Sequence, residues 1–198
     1  MGYLNKVAEF DPVVWRERVL SRYAGSTSKD KNASSARLMK DLTAISSLII
    51  LTDWCLSREI SIKYKRMING QYSPDDRQIS LSSSLSPEKC VYVLLHEIGH
   101  ILVGTASGSQ ERYSMGWAQA FHPTIKRTVQ HRLDILEEEF DAWNRGAKLA
   151  TKLKLKIDKT AYGLMRAKCM KSYVMWAARS NNYDGPIITN KEMKDEQE

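Results

Sequence analysis

Residues 86–104 constrain the fold of this 198-residue chain more than any other stretch. The order Ser86, Pro87, Glu88 is typical of a helix start: serine caps free amide groups, proline fits the first turn, and an acid there meets the positive end of the helix dipole. Apolar residues fill positions 90–95 and 101–103, and Gly104 is typical of a helix end. We therefore predict a helix over residues 87–104 with a buried apolar side formed by Leu94, Leu95, Ile98, Ile101 and Leu102.

Two histidines stand four residues apart on this predicted helix, in the sequence HEIGH at residues 96–100. Residues at i and i+4 share one helix face, so His96 and His100 can bind the same ion. A glutamate directly after the first histidine can take a proton from a water that the metal activates. The motif predicts one Zn²⁺ per chain, with His96 and His100 as ligands and Glu97 as general base.

A catalytic zinc ion usually has three protein ligands and one open position, so a further donor is expected. Residues 137–141 read EEEFD and lie on a helix predicted over residues 124–153. The apolar residues of that helix recur at alternating steps of four and three, which predicts a buried stripe. Its members are Val129, Leu133, Leu136, Phe140, Trp143, Ala147 and Ala150.

Relative to this stripe, Glu138 points away and should be solvated, whereas Glu137 and Glu139 flank it on opposite sides. We predict Glu137 as the third ligand, because Asp141 follows it at i+4 on the same flank. Asp141 could then accept a hydrogen bond from a ligand histidine and orient its ring.

Several alternatives are compatible with the same sequence. Glu138 or Glu139 could replace Glu137, or His122 or His131 could supply the third ligand, or all four acids could form a solvated helix face. His122, His131 and Tyr113 are also candidates to stabilise a developing oxyanion.

The order of these motifs, HExxH and then ExxxD on a second helix, resembles the gluzincin zinc metallopeptidases. More narrowly, it resembles the small ImmA/IrrE-type metallopeptidases, through residues 79–82, 96–100 and 137–143. The resemblance implies an α+β fold: a mainly helical zincin-like (minigluzincin) domain with a small antiparallel sheet packed against the HExxH helix. It also implies hydrolysis of peptide bonds in a protein or peptide substrate.

The rest of the chain shows further helix and strand signals. Alternating residues from Ile60 predict a strand to residue 65, Asn69-Gly70 is typical of a hairpin turn, and a second short strand is predicted over residues 77–82. Further helices are predicted over residues 12–24, 36–57 and 160–179, with a polar loop at 25–35. We divide the chain into an N-terminal helix and loop (1–35), the metallopeptidase domain (36–155), a basic helix packed on it (156–180) and a flexible tail (181–198).

Charge and cysteine content bear on partners and compartment. The formal net charge is +7, and lysines and arginines are frequent from Lys148 to Lys171. This bias favours a rival hypothesis, a basic nucleic-acid- or protein-binding regulator on a zincin fold without peptidase activity.

We expect Cys55, Cys90 and Cys169 to be reduced and mostly buried. With no signal peptide or transmembrane segment recognised, a cytoplasmic location without membrane contact is expected.

Overall fold

The computed structural model describes residues 8–9, 12–24, 31–65, 70–106, 112–117 and 128–178. This part of the chain is mostly helical with one small sheet, which confirms the predicted α+β class. The helices are α1 (Pro12–Tyr23), α2 (Lys31–Leu56), α3 (Pro87–Gly104), α4 (Val129–Lys152) and α5 (Lys159–Ala178). The strands are β1 (Ala8–Glu9), β2 (Ser61–Lys65), β3 (Gln71–Ser73) and β4 (Gln78–Ser82).

The chain divides into two compact units, Met1–Leu95 with Ala150–Ile157, and His96–Leu149 with Asp158–Glu198. The first unit holds the sheet, with strand order β1-β2-β4-β3. The second unit holds the HExxH motif, most of α4 and all of α5. The predicted division into four segments stays a prediction.

The sheet is mixed, so the prediction of an antiparallel sheet was wrong. β4 pairs in parallel with β2, from Ser61↔Gln78 to Lys65↔Ser82, while β3 and β1 pair antiparallel on either side. The hairpin joins β3 to β4 across the turn that begins at Pro74. The two parallel strands are separated in the sequence by about a dozen residues, the length that a parallel pair needs, and β3 lies in that interval.

The central position of β4 accounts for its burial. Ile79 and Leu81 are buried as their spacing predicts, and Ser80 and Ser82 on the other face are buried as well. A strand covered on both faces carries no period-2 burial pattern, because neither face meets water. Beside it, β2 keeps the alternation, with Ile62 and Tyr64 buried.

Most helix bounds agree with the sequence signals, and side-chain caps explain the starts of two helices, α3 and α5. The Ser86 Oγ accepts a hydrogen bond from the Lys89 amide at 3.4 Å, and Asp158 Oδ1 accepts from the Thr160 and Ala161 amides at 2.9 and 3.0 Å. The predicted loop over 25–35 was wrong in part, because α2 already begins at Lys31. Residues 31–35 contain no glycine or proline that would stop a helix. The predicted tail from residue 181 lies outside the described residues.

The part of helix α3 that belongs to the first unit is buried on nearly all sides, and not only on one apolar side. The six residues 90–95 are all buried. Burial, and then the Cys90 thiol, raise the pKa of the Tyr64 phenol on β2. Because Cys90 is near enough to act on Tyr64, this part of α3 lies close to the sheet. None of the described helices is long and apolar enough to span a membrane.

The three cysteines are thiols, and two of them are inaccessible. Burial raises the pKa of Cys55 and of Cys90 to about 12, so neither forms the reactive thiolate near neutral pH. Cys169 on α5 is half-buried. We expect a thiol reagent at pH 8 to modify Cys169 alone in the folded protein and all three cysteines in denaturant, as counted by mass spectrometry. Rapid modification of all three without denaturant would contradict this burial.

Candidate metal centre

Helices α3 and α4 approach each other closely at Gly99, the small residue inside the HExxH motif. A Cβ atom built on Gly99 would lie 2.0 Å from the carbonyl oxygen of Ala142, far inside contact distance. On either side of this contact, Trp143 stacks on the His96 ring with centroids 4.3 Å apart, and Glu139 reaches the two histidines. The missing side chain at residue 99 therefore lets α4 bring a carboxylate to the motif.

The three donors converge on a common point. The Nε2 atoms of His96 and His100 are 3.2 Å apart, Glu139 Oε2 is 3.2 Å from His96 Nε2, and Glu139 Oε1 is 3.3 Å from His100 Nε2. Ligand atoms bound tetrahedrally at zinc distances are separated by roughly 3.3 Å. The separation of the two nitrogens matches this value, and each of the two Glu139 oxygens lies at about the same distance from one of those nitrogens.

The electrostatics of the centre favour a positive charge between the two histidines and Glu139. Burial alone would lower the pKa of His100, but the Glu139 carboxylate, with smaller contributions from Glu97 and Glu138, raises it to about 9. Burial alone would raise the pKa of Glu139, yet His100 and then His96 hold it well below its usual range. An ionised carboxylate only 2% exposed needs a cation beside it, either a protonated imidazole or a metal ion.

One buried polar atom of the centre, Glu139 Oε2, fits a metal ion better than it fits the protein alone. Glu139 Oε2 and His96 Nδ1 have no hydrogen-bond partner within the described residues, although His96 Nε2 lies near that oxygen. Buried polar atoms are rarely left without partners. An ion between the rings and the carboxylate would satisfy the oxygen, and the donor set of two imidazoles and one carboxylate suits Zn²⁺.

The carboxylate at the histidines is Glu139, not the predicted Glu137. Glu137 is exposed, whereas Glu138 is half-buried with its Oε1 atom 4.0 Å from His100 Nδ1. Asp141 was expected to orient a histidine, but its Oδ2 accepts hydrogen bonds from Arg145 Nε at 3.0 Å and from the Tyr113 hydroxyl at 3.3 Å. The carboxyl group near the outer nitrogen of His100 is that of Glu138.

The difference arises because α4 is rotated about its axis relative to the predicted stripe. Val129, Leu133 and Phe140 are 60%, 45% and 50% exposed. The buried face instead runs through Ile135, Glu139, Ala142, Trp143 and Leu149. Hydrophobic periodicity counts a glutamate as a surface residue, and here two imidazoles compensate its burial.

Glu97 is 7% exposed and lies within electrostatic reach of the centre. Its carboxylate contributes to the raised pKa values of both His100 and Tyr173. The next turn of α3 is tied to α4 by Arg145, whose guanidinium donates to the Leu102 carbonyl at 3.1 Å. The helix that carries the predicted base Glu97 is therefore hydrogen-bonded to α4, the helix that carries Glu139.

Two aromatic residues of the centre were not predicted from the sequence. The indole Nε1 of Trp117 donates to Glu139 Oε1 at 2.9 Å, and Tyr173 on α5 makes a side-chain hydrogen bond to the same glutamate. Burial, followed by the Glu139 charge, raises the pKa of the Tyr173 phenol well above its ordinary value, so it remains a donor. No local signal distinguishes these residues, because aromatic residues in a helix or loop are usually core.

The other predicted candidates lie elsewhere or outside the described residues. The His131 ring hydrogen-bonds the Met115 carbonyl through Nδ1 and meets Trp176 edge-on, so it is not one of the three convergent donors. Tyr113 packs with Val103 and Ala142 and donates to Asp141. His122 is outside the described residues.

Comparisons of the chain with protein-family models, with curated proteins and with solved structures give no match. The resemblance to gluzincin peptidases therefore rests on the motifs alone.

Proposed function

We propose that this protein is a zinc-dependent metallopeptidase whose ion is held by His96, His100 and Glu139. The observation that carries the proposal is the convergence of two imidazoles and one buried carboxylate, in which one ligand atom from each residue lies within 4.8 Å of the other two. Each oxygen of Glu139 is 3.2 or 3.3 Å from the Nε2 atom of one histidine. A catalytic zinc site has three protein ligands and keeps a fourth position open. The HExxH motif adds a base that a purely structural zinc site does not require.

A zinc ion held by His96, His100 and Glu139 would supply Lewis acidity, which would lower the pKa of a water molecule and polarise a carbonyl group. Glu97 then acts as general base, because it precedes His100 by one turn and its carboxylate lies within electrostatic reach of that ring. It accepts the proton of the attacking water and passes it to the leaving amine of the scissile peptide bond. Glu139 and the two histidines hold position throughout, with Trp117 and Tyr173 hydrogen-bonded to the carboxylate.

Replacing the general base should slow hydrolysis strongly while leaving the metal in place. We expect Glu97→Gln to lower the rate of peptide cleavage by about 100-fold or more, because positioned acid–base groups contribute that much or more. Cleavage of a quenched fluorescent peptide library by the zinc-loaded protein measures the rate, and atomic absorption measures bound zinc. Glu137→Gln makes the same chemical change at an exposed position and should cleave as the wild type does.

Equal cleavage by wild type and Glu97→Gln would remove the peptidase proposal. If the wild-type protein retains well under one zinc ion per chain, the proposed metal centre is wrong as well. Loss of wild-type cleavage on chelation, restored by added zinc, is the supporting result.

A further inference from the structure

Residues 112–117 are held against one polar face of α4. The Met115 amide donates to Asp134 Oδ2 at 3.0 Å, and the Met115 carbonyl meets Nδ1 of the buried His131. His131 and Asp134 are three residues apart, on the same side of the helix. This face continues for another turn to Glu138 and Glu139, so one row of polar side chains leads from the segment's anchor to the metal centre.

Trp117 makes the contact with the metal centre itself. Its backbone amide donates to Glu138 Oε2 at 3.2 Å, while its indole donates to Glu139 Oε1 at 2.9 Å. Gly116 permits this approach, because a Cβ there would lie 2.6 Å from Glu138 Oε2. Two adjacent carboxylates of α4 are thus both held by one residue of the segment.

We propose that Trp117 is a positioning residue for the ligand carboxylate of Glu139, and that metal binding and docking of residues 112–117 on α4 stabilise each other. This inference rests on the proposed metal centre. The indole fixes Oε1, which limits rotation of the carboxylate and leaves Oε2 directed at His96. Partners that orient ligand groups typically change metal affinity 10- to 100-fold.

Reciprocity follows from thermodynamic linkage. If docking of the segment raises metal affinity by some factor, metal binding raises the docking equilibrium by the same factor. Trp117 is 37% exposed, and its ring meets Tyr173 edge-on at 6.4 Å. Anything that displaces Trp117 from Glu139 would therefore weaken the centre, which makes the segment a means of regulating metal occupancy.

Trp117→Phe tests the proposal because it keeps an aromatic ring and removes the indole donor. We expect its zinc affinity, measured by competition with a chromogenic chelator, to fall roughly 10- to 100-fold. The visible absorption bands of bound Co²⁺, which report ligand geometry, should also shift. Trp54→Phe on α2, in the other unit, is the matched control and should leave both measurements unchanged.

Hydrogen exchange measures the reciprocal effect in the full-length protein. In the wild type, zinc should slow exchange at the Met115 and Trp117 amides, which bond to Asp134 and Glu138. In Trp117→Phe this slowing should be much smaller. Zinc affinity within about two-fold of wild type, an unchanged Co²⁺ spectrum and zinc-independent exchange would overturn the inference but leave the proposed function intact. Failure of the wild type to bind zinc would overturn both.

Discussion

Glu139→Gln should weaken zinc binding strongly, whereas Glu137→Gln should leave it unchanged. Glu139 contributes the only carboxylate of the cluster formed with His96 and His100 in the described part of the chain. An amide has no negative charge and is a poor zinc ligand, so the site would retain two imidazoles. We expect affinity to fall by more than about 100-fold, beyond the effect of losing a mere orienting partner.

Glu137→Gln is an unusually close control for this experiment. It lies two residues away on the same helix, makes the same change of charge and is exposed. Zinc titration by calorimetry gives the affinity of each variant, and circular dichroism of the metal-free proteins shows whether the fold is kept. Loss of binding in Glu137→Gln with full binding in Glu139→Gln would reverse the assignment of the third ligand.

Alanine at residue 99 should both destabilise the protein and weaken the metal centre. The added methyl would meet the carbonyl oxygen, carbonyl carbon and Cα of Ala142 at 2.0, 2.6 and 3.0 Å. These are backbone atoms, so the clash is relieved only if the two helices separate. Overpacking of this kind costs about 1 to 3 kcal/mol or more, and it would outweigh the helix propensity of about 1 kcal/mol gained by replacing glycine.

Separation of the helices also moves Glu139 away from the histidines, since it lies less than one turn from Ala142. We therefore expect zinc affinity to fall along with the midpoint of urea unfolding. Gly163→Ala on α5 is the matched control, because among the described residues nothing beyond the local backbone of α5 lies within 4 Å of its added methyl group. That variant should be more stable by roughly 0.5 to 1 kcal/mol. A Gly99→Ala protein as stable as Gly163→Ala, with wild-type zinc affinity, would contradict the close contact.

The sheet shows where local patterns stopped being informative. Both β2 and β4 were recognised from their alternating residues, and their bounds agree with the sequence within a residue. The parallel pairing of β2 with β4 could not be recognised in this way. The intervening strand β3 has only three residues, and it pairs with β4 rather than with β2. Strand order depends on contacts between segments, and the alternation of residues within one segment does not indicate which other segment it pairs with.

The amino-acid sequence by itself determined the helix that carries HExxH, the shared face of His96 and His100, and the position of the candidate base one residue after the first histidine. These follow from capping residues and helical geometry, which act over a few residues. Only the tertiary structure decided which of three consecutive glutamates meets the rings. A rotation of about 100° per residue separates them, and the rotation of α4 was set by its packing at Gly99 and by the imidazoles that neutralise a buried carboxylate.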